Sequence, residues 1–531
     1  MANIVFVTPY DHIALGARLL SAILKKAGHK TRLIVFKGMQ LSLEADNLGG
    51  EPGYQGGIVC CTDREYGKIR DLIKDFDTDI IGVSFASHCF GLSVWLSQNF
   101  RKDFPSLPIV WGGIDPTIHP ELGIESCDYM AIGEAEHSFL ELVEALSKGE
   151  RPTKIDGFWV NKDGEVFRNP MREAEQNLDV FPIPDWVPEE KYKVAGDYCG
   201  PLNDFFYMIM TQRGCPYKCS YCANVTLTEL YNNQKLLRRR SVDHVLNELH
   251  YILKIYPELK FIHFFDDIFT INKKWVREFA PRYRAEIGLP FWCYTYPGQC
   301  DEETAMLLKE MNVEYVRIGI QSGSKRILKE IFHRRDPDTV GATARIFHKL
   351  DIPQTYDILL CNPFETVEDN LETLEVLLDL PHPFHANATN PINLYMNSPI
   401  TRMAQERGFE LVQPEGMNGY LAKDDNDYQF WRNIYQITQF PMLDKDFIRS
   451  LARNEYLKKN PQLLENFRIA LKESALHGEF YTKKYFIEKL SKKFKSLTKE
   501  KEELERKLAT IRGKRLYKLA KKIKSFLPVS S

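Results

Sequence analysis

No stretch of this 531-residue chain reaches the roughly eighteen uninterrupted apolar residues that a membrane-spanning helix requires. Its start, MANIVFVTPYDHIALG, lacks the basic segment and long apolar core that mark a secretory signal. Internal repeats and low-complexity segments are also missing, which excludes repeat architectures. Cysteine is scarce and odd in number, eleven in all with three tightly clustered, which suits metal ligation in a reducing compartment better than a disulfide framework. A cytoplasmic protein is expected. Charge of one sign is lacking overall, at a net -2, but residues 481–531 carry 17 Lys/Arg against 5 Asp/Glu. That tail needs its own explanation.

With 44% hydrophobic and 27% charged residues the composition is that of an ordinary globular protein. The length predicts two or three domains. Residues 3–148 alternate short apolar runs (NIVFVTP, TRLIVF, DIIGVSF, PIVWGG, YMAIGE) with helical patterns such as LGARLLSAILKKAG and EHSFLELVEALSKG. This order predicts an α/β domain over 1–150 with a doubly wound, Rossmann-like parallel sheet, whose ligands bind beyond the carboxyl ends of the strands. Ser84, Gly112 and Gly113 stand at those ends. Residues 151–203 carry a hairpin signal and the proline-rich NLDVFPIPDWVP and read as a connector. Over 204–401 the runs FFYMIM, FIHFFDD, FWCYTY, YVRIGI, TYDILL and PINLYM predict six βα units, a partial TIM-like barrel. Residues 402–490 read as helical and 491–531 as a basic tail.

The cluster TQRGCPYKCSYCAN follows the first barrel strand and spaces its cysteines as C-x-x-x-C-x-x-C. Structural zinc wants four closed ligands, and residues 204–240 offer neither a fourth Cys nor a His. Three thiolates suit a [4Fe-4S] cluster that keeps one iron without a protein ligand, open to a chelating cosubstrate. Gly214 and Pro216 favour a curled loop over a helix here. Three buried structural cysteines are the bland alternative.

On this loop the sequence resembles the radical S-adenosylmethionine (SAM) superfamily, over roughly 204–400. The resemblance implies that Cys215, Cys219 and Cys222 hold the cluster while SAM chelates the fourth iron. A 5'-deoxyadenosyl radical then abstracts hydrogen from an unactivated carbon, and the protein orients that radical. It also places Tyr221 near the adenine, and Asp266 and Asp267 of FFDD near the SAM amino group. Gln321 and Ser322 fall in the fourth-strand motif, IGIQSGS, with Gln321 where many members carry Glu. YDILLCNPFET resembles the fifth-strand segment but reads Cys361, Asn362, Pro363, Phe364. Tyr296 stands where many relatives have an Arg near the SAM carboxylate.

The first domain resembles the cobalamin-binding domain of the B12-dependent, class B radical SAM group, through PYDHIALGARLLSAILKKAGH, GVSF, WGGIDPTIHP and DYMAIGEAEHSF. Gly112 and Gly113 would let backbone approach the corrin or its nucleotide tail. The mutase signature D-x-H-x-x-G is not matched by Asp11, His12 and Gly16, so His12 as a cobalt ligand is a minor expectation. A sheet that binds another cofactor, or none, is the alternative.

In the tail, Leu490, Phe494, Leu497, Lys501, Leu504, Leu508 and Ile511 form a heptad seam, suited to a coiled-coil homodimer or to packing on the chain's own body. Beyond Gly513 a basic amphipathic pattern suggests peripheral contact with an anionic membrane, against a solvated terminal helix. Nucleic acid is disfavoured, since no RNA-binding module is present.

The resemblance thus implies an enzyme using a [4Fe-4S] cluster, SAM and cobalamin, with an electron donor such as flavodoxin or ferredoxin. The expected reaction is radical C-methylation of a small-molecule or lipid-linked substrate. The rivals are a B12-dependent cyclase or rearrangement enzyme, a methylthiotransferase lacking its second cysteine cluster, and a non-catalytic cluster or B12 sensor. The catalytic proton acceptor and the substrate's identity are not legible from spacing.

Overall fold

A computed structural model describes residues 1–37, 61–202, 207–232, 234–334, 338–414, 416–422 and 427–475. The basic tail, with its expected dimer and membrane contacts, lies outside the described residues. Residues Met1–Glu473 form one compact unit.

Five strands open the chain: β1 (Asn3–Pro9), β2 (Lys30–Phe36), β3 (Ile80–Ser84), β4 (Ile109–Gly112) and β5 (Tyr129–Ala131). They pair in parallel in the order β5-β4-β3-β1-β2, the flavodoxin-like doubly wound arrangement with its switch point between β1 and β3. Helices on both faces bury the strands twice over, which is why these strands are continuous apolar runs. Val5, Val7 and Ile34 pack into one layer and Ile4, Phe6 and Leu33 into the other. The helices are Leu15–Lys26, Asp63–Lys74, Phe90–Asp103 and Glu136–Ser147. That of Asp63–Lys74 starts on a capping box, in which Thr62 Oγ1 accepts from Glu65 N and Glu65 accepts from Thr62 N at 2.9 Å.

The connector reading is corrected in part. The hairpin β6 (Phe158–Lys162) and β7 (Glu165–Arg168) extends the first sheet beyond β5, while β8 (Lys191–Ala195) and β9 (Tyr198–Pro201) extend it beyond β2, giving nine strands. Proline-rich sequence marks only the crossing between these additions.

The second sheet is parallel and open, in the order β10 (Tyr207–Ile209), β13 (Ile262–Phe264), β14 (Phe291–Thr295), β15 (Val313–Gln321), β16 (Gln354–Leu360) and β17 (Phe384–Pro391). Between its first two strands, β11 (Gln212–Arg213) pairs antiparallel with β12 (Arg238–Arg239). Burial alternates along β14, β15 and β16. Phe291, Cys293, Val316, Ile318, Tyr356 and Ile358 pack against the surrounding helices, while Trp292, Tyr294, Tyr315, Arg317, Thr355 and Asp357 stay half-buried. The second set therefore lines the inside of the partial barrel. His263 stacks on Trp292 at 3.4 Å and Trp292 on Tyr315 at 5.3 Å. Above them the Arg317 Nε donates to both Asp357 oxygens at 2.8 Å.

The sixth barrel strand is FHANATNP, not the expected PINLYM. Asn and Ala are poor strand formers and hide it from an apolar pattern, whereas PINLYM starts at the last residue of β17 and beyond it makes one isolated bridge, Leu394 to Tyr420.

Candidate active site

The cysteine loop is fixed from its base. Gln212 and Arg213 pair with Arg239 and Arg238. Gly214 follows at φ 81, and a Cβ there would come 2.4 Å from the Leu236 carbonyl oxygen. Only glycine suits both the backbone angle and the close approach. Cys215, Cys219 and Cys222 lie in an irregular loop that ends where the helix Ala223–Leu230 begins, capped by Cys222. The middle of the loop is anchored elsewhere: Ser220 N donates to Phe332 O at 3.3 Å and Ile400 N to Ser220 O at 3.2 Å.

All three thiols are unbridged. Burial pushes Cys215 up to about 12 and Cys222 up to about 11, so that both are thiols at neutral pH unless a metal deprotonates them. Among the described residues no three His, Cys, Asp or Glu side chains converge on one ion. A cubane gives each thiolate its own iron and needs no such convergence, so the donor set suits a cluster.

The remaining barrel residues separate into two groups. Asp266 is fully buried and occupied internally: it accepts from Thr211 N at 2.7 Å, Gln212 N at 3.0 Å, Arg239 Nη2 at 2.9 Å and the Thr211 hydroxyl. These four donors take up the carboxylate's acceptor capacity within the protein. Asp267 keeps solvent access and accepts from Asn224 Nδ2 at 3.1 Å beside Cys222; burial of its surroundings raises its pKa. Ser322 is likewise buried and bonded inward, to Ser324 N at 3.2 Å and to the Thr373 hydroxyl at 3.3 Å. Gln321 ends β15 at φ 68 with a buried Oε1 that has no partner. On the next strand end, Asn362 has a buried Nδ2 in the same condition. An orphaned acceptor and an orphaned donor on adjacent strand ends make a place for a ligand with both amino and carboxylate groups.

Sequence reading missed Arg334. Its guanidinium lies 4.3 Å from the Tyr296 ring centroid, and Tyr296 in turn stacks on Tyr217 at 4.0 Å. Nη1 donates to Tyr221 Oη at 2.7 Å and lies 3.8 Å from Cys219 Sγ, while Nη2 donates to Gly319 O at 2.6 Å. A positive charge thus stands beside Tyr296, delivered from another segment of the chain. No spacing signal could have located it.

At the first sheet, Ser84 and Gly112 are paired across β3 and β4, and the structure brings Ser84, Gly112 and Gly113 to one rim. Gly112 has no steric demand, since an added Cβ would meet only Ala131 Cβ at 3.8 Å. Gly113, at φ 109, would drive a Cβ to 2.4 Å from Phe85 O. Its conformation is set by protein packing. His12 is half-buried in the loop after β1, and burial holds its imidazole down to about 4. Two residues not foreseen lie on this rim: buried His119, whose Nδ1 is 3.0 Å from Asp115 Oδ1, and Asn418, which donates to Asp115 Oδ2 at 3.0 Å.

The rims of the two sheets meet. Arg213 Nη2 contacts Glu136 Oε1 at 2.6 Å and Nη1 lies 3.2 Å from Glu134, while Arg238 forks onto both Glu134 oxygens at 2.5 and 2.9 Å. Glu134 N donates to Tyr231 Oη at 2.7 Å. The base of the cysteine loop is thereby clamped to the segment after β5. On another side Asn397 Nδ2 donates to Ile118 O at 2.7 Å and Gly91 N to Gly416 O at 2.8 Å.

Residues 209–377 match the family model for the Radical SAM superfamily, and residues 2–143 that for the B12 binding domain. The chain is 31% identical over 319 residues to an uncharacterized methyltransferase of Pyrococcus horikoshii, spanning 59% of this chain and 67% of that protein. It is 26% identical over 360 residues to the cytidylyl-2-hydroxyethylphosphonate methyltransferase of Streptomyces wedmorensis, spanning 60% of this chain and 63% of that enzyme. A solved structure of the radical S-adenosylmethionine methyltransferase TsrM from Kitasatospora setae, with cobalamin and [4Fe-4S] cluster bound, superposes with a TM-score of 0.61 at 16% identity. The match covers 90% of this chain and 100% of that chain. The expected fold, a doubly wound sheet, a partial barrel and a helical C-terminal region, is the fold they share.

Proposed function

The chain belongs to the radical SAM enzymes that carry an N-terminal B12-binding domain, and on that premise we propose that it methylates an unactivated carbon of a small-molecule substrate. The observation that carries this reading is the clamp of Arg213 and Arg238 onto Glu134 and Glu136. It turns the ligand-binding rim of the first sheet toward the cysteine loop of the second. Methyl transfer needs a methyl carrier and a radical source in reach of one carbon, and facing rims supply that proximity.

Cys215, Cys219 and Cys222 would hold the [4Fe-4S] cluster, and Gln321, Asn362 and Asp267 would orient SAM against it. Ser84, Gly113 and the loop carrying His12 would border cobalamin. When bound, these groups supply one-electron cleavage of SAM and a transferable methyl. The protein's share is orientation and exclusion of water. Trp292, Tyr294 and the Arg317–Asp357 pair present aromatic and charged surface inside the barrel toward a substrate. Electrons would come from a donor such as flavodoxin or ferredoxin. Among the described residues no helix is long and apolar enough to cross a membrane; a lipid-linked substrate would depend on the basic tail.

The test is anaerobic turnover of the full chain loaded with iron, sulfide and cobalamin, with 5'-deoxyadenosine and S-adenosylhomocysteine quantified together. Both products are expected. Deoxyadenosine without S-adenosylhomocysteine would refute methyl transfer and favour a rearrangement.

A further inference from the structure

Among the described residues one thiol of the cysteine loop has a charged donor beside it. Cys219, the most buried of the three, has the guanidinium of Arg334 at 3.8 Å, from a segment more than a hundred residues away.

That guanidinium is held from three sides. Gly319 O fixes Nη2, Tyr221 Oη fixes Nη1, and the Tyr296 ring lies against its face. It is half-buried, and among the described residues no carboxylate lies within ion-pair distance of it. A half-buried cation whose hydrogen bonds go to neutral oxygens can take a negative partner on its remaining side. A 2+ cubane on three thiolates is an anion, and one added electron makes it more so. Hydrogen bonds and charge at the ligand sulfurs are among the main determinants of a cluster's reduction potential.

We propose that Arg334 is a positioning residue acting through Cys219, whose N–H···S contact and fixed charge raise the reduction potential of the [4Fe-4S]2+/+ couple. This rests on the reading of the loop as a cluster site. The couple takes up one electron from an external low-potential donor, no bond is made or broken at Arg334, and its proton stays on the guanidinium. The added negative charge is shared by the cluster and the sulfurs, and the guanidinium stabilises it more than the oxidised form.

The experiment is a mediator titration of the full chain loaded with iron and sulfide, without SAM or cobalamin, followed by the electron paramagnetic resonance signal of the reduced cluster. At the potential that half-reduces the wild type, Arg334→Met is expected to leave about tenfold fewer clusters reduced per oxidised one, a shift of about 59 mV for one electron. Arg334→Lys, which keeps charge without the planar fork, falls between them. Equal potentials for wild type and Arg334→Met overturn the proposal. So does an unchanged potential combined with weaker SAM binding, which would assign the guanidinium to the cosubstrate's carboxylate. If Arg334→Met takes up no iron, the Lys variant carries the measurement, and loss of the cluster from both overturns the proposal in favour of a structural role. A wild type that assembles no cluster is a different result, and refutes the cluster-site reading itself.

Discussion

Glu134→Gln tests whether the two rims must be held together. Arg238 is 3% exposed and Glu134 21%, and their fork-on-fork contact is reinforced by Arg213 on the same carboxylate. Breaking a buried pair costs about 3–5 kcal/mol. Residual exposure of Glu134 reduces this toward about 2 kcal/mol, or a roughly thirtyfold increase in local opening. Gln keeps the shape and one acceptor but loses the charge that both guanidiniums share. Hydrogen exchange over residues 131–136 and 211–214 reads the opening. A cycle with Arg238→Met isolates the pair, with an expected coupling of about 2 kcal/mol. In turnover, 5'-deoxyadenosine depends on the barrel alone, whereas S-adenosylhomocysteine depends on both rims. The ratio of the second product to the first should fall by about tenfold to a hundredfold, since about 1 Å of misplacement costs that much. Equal loss of both products, or a coupling under about 0.5 kcal/mol, would refute the idea that this clamp sets the distance between the rims.

Gly214→Ala should cost about 3 kcal/mol, from the left-handed backbone and from the contact with the Leu236 backbone, and iron content per chain should fall with it. Asp266→Asn should lower the melting temperature, since the buried carboxylate serves Thr211, Gln212 and Arg239, while Asp267→Asn should leave melting unchanged and weaken SAM binding in a calorimetric titration. Burial depresses His12 from 6.5 to about 4, so only the unfolded chain takes up its proton between these values. Its contribution to stability is therefore full above pH about 6.5 and lost as pH falls toward about 4. Denaturant midpoints between pH 7 and 5 should decline less steeply in His12→Gln, and parallel declines would refute this.

The parts of the fold that sequence reading reached are those where burial on both faces leaves one signal. β1 to β5 and most barrel strands are apolar runs because helices cover them, and the hairpin of residues 158–168 announced itself by its Asp-Gly turn. β17 escaped because its apolar partners are spaced by Asn and Ala, and the sheet additions at β8 and β9 escaped because the prolines beside them read as linker. The cysteine spacing is local, so it survives in one dimension. Asp266 and Asp267 are neighbours in sequence and opposites in space, one bonded inward through four donors and the other open at the rim, and no pattern distinguishes them. Arg334 lies more than a hundred residues from Cys219, and only the folded barrel brings the two together.

Chain order explains how the two rims came to face each other. The connection from the first sheet does not simply pass to the barrel, since β8 and β9 return to the far edge beside β2 before β10 begins. After β17 the chain crosses back, placing Asn397 on Ile118, Gly416 on Gly91 and Asn418 on Asp115. Gly91 requires that approach to be bare, because a Cβ there would lie 2.6 Å from Gly416 Cα. The clamp at Glu134 and this returning segment hold the rims from two sides. A substrate bound where the rims meet would find radical source and methyl carrier together, and separate domains on a flexible linker would lose that effective concentration.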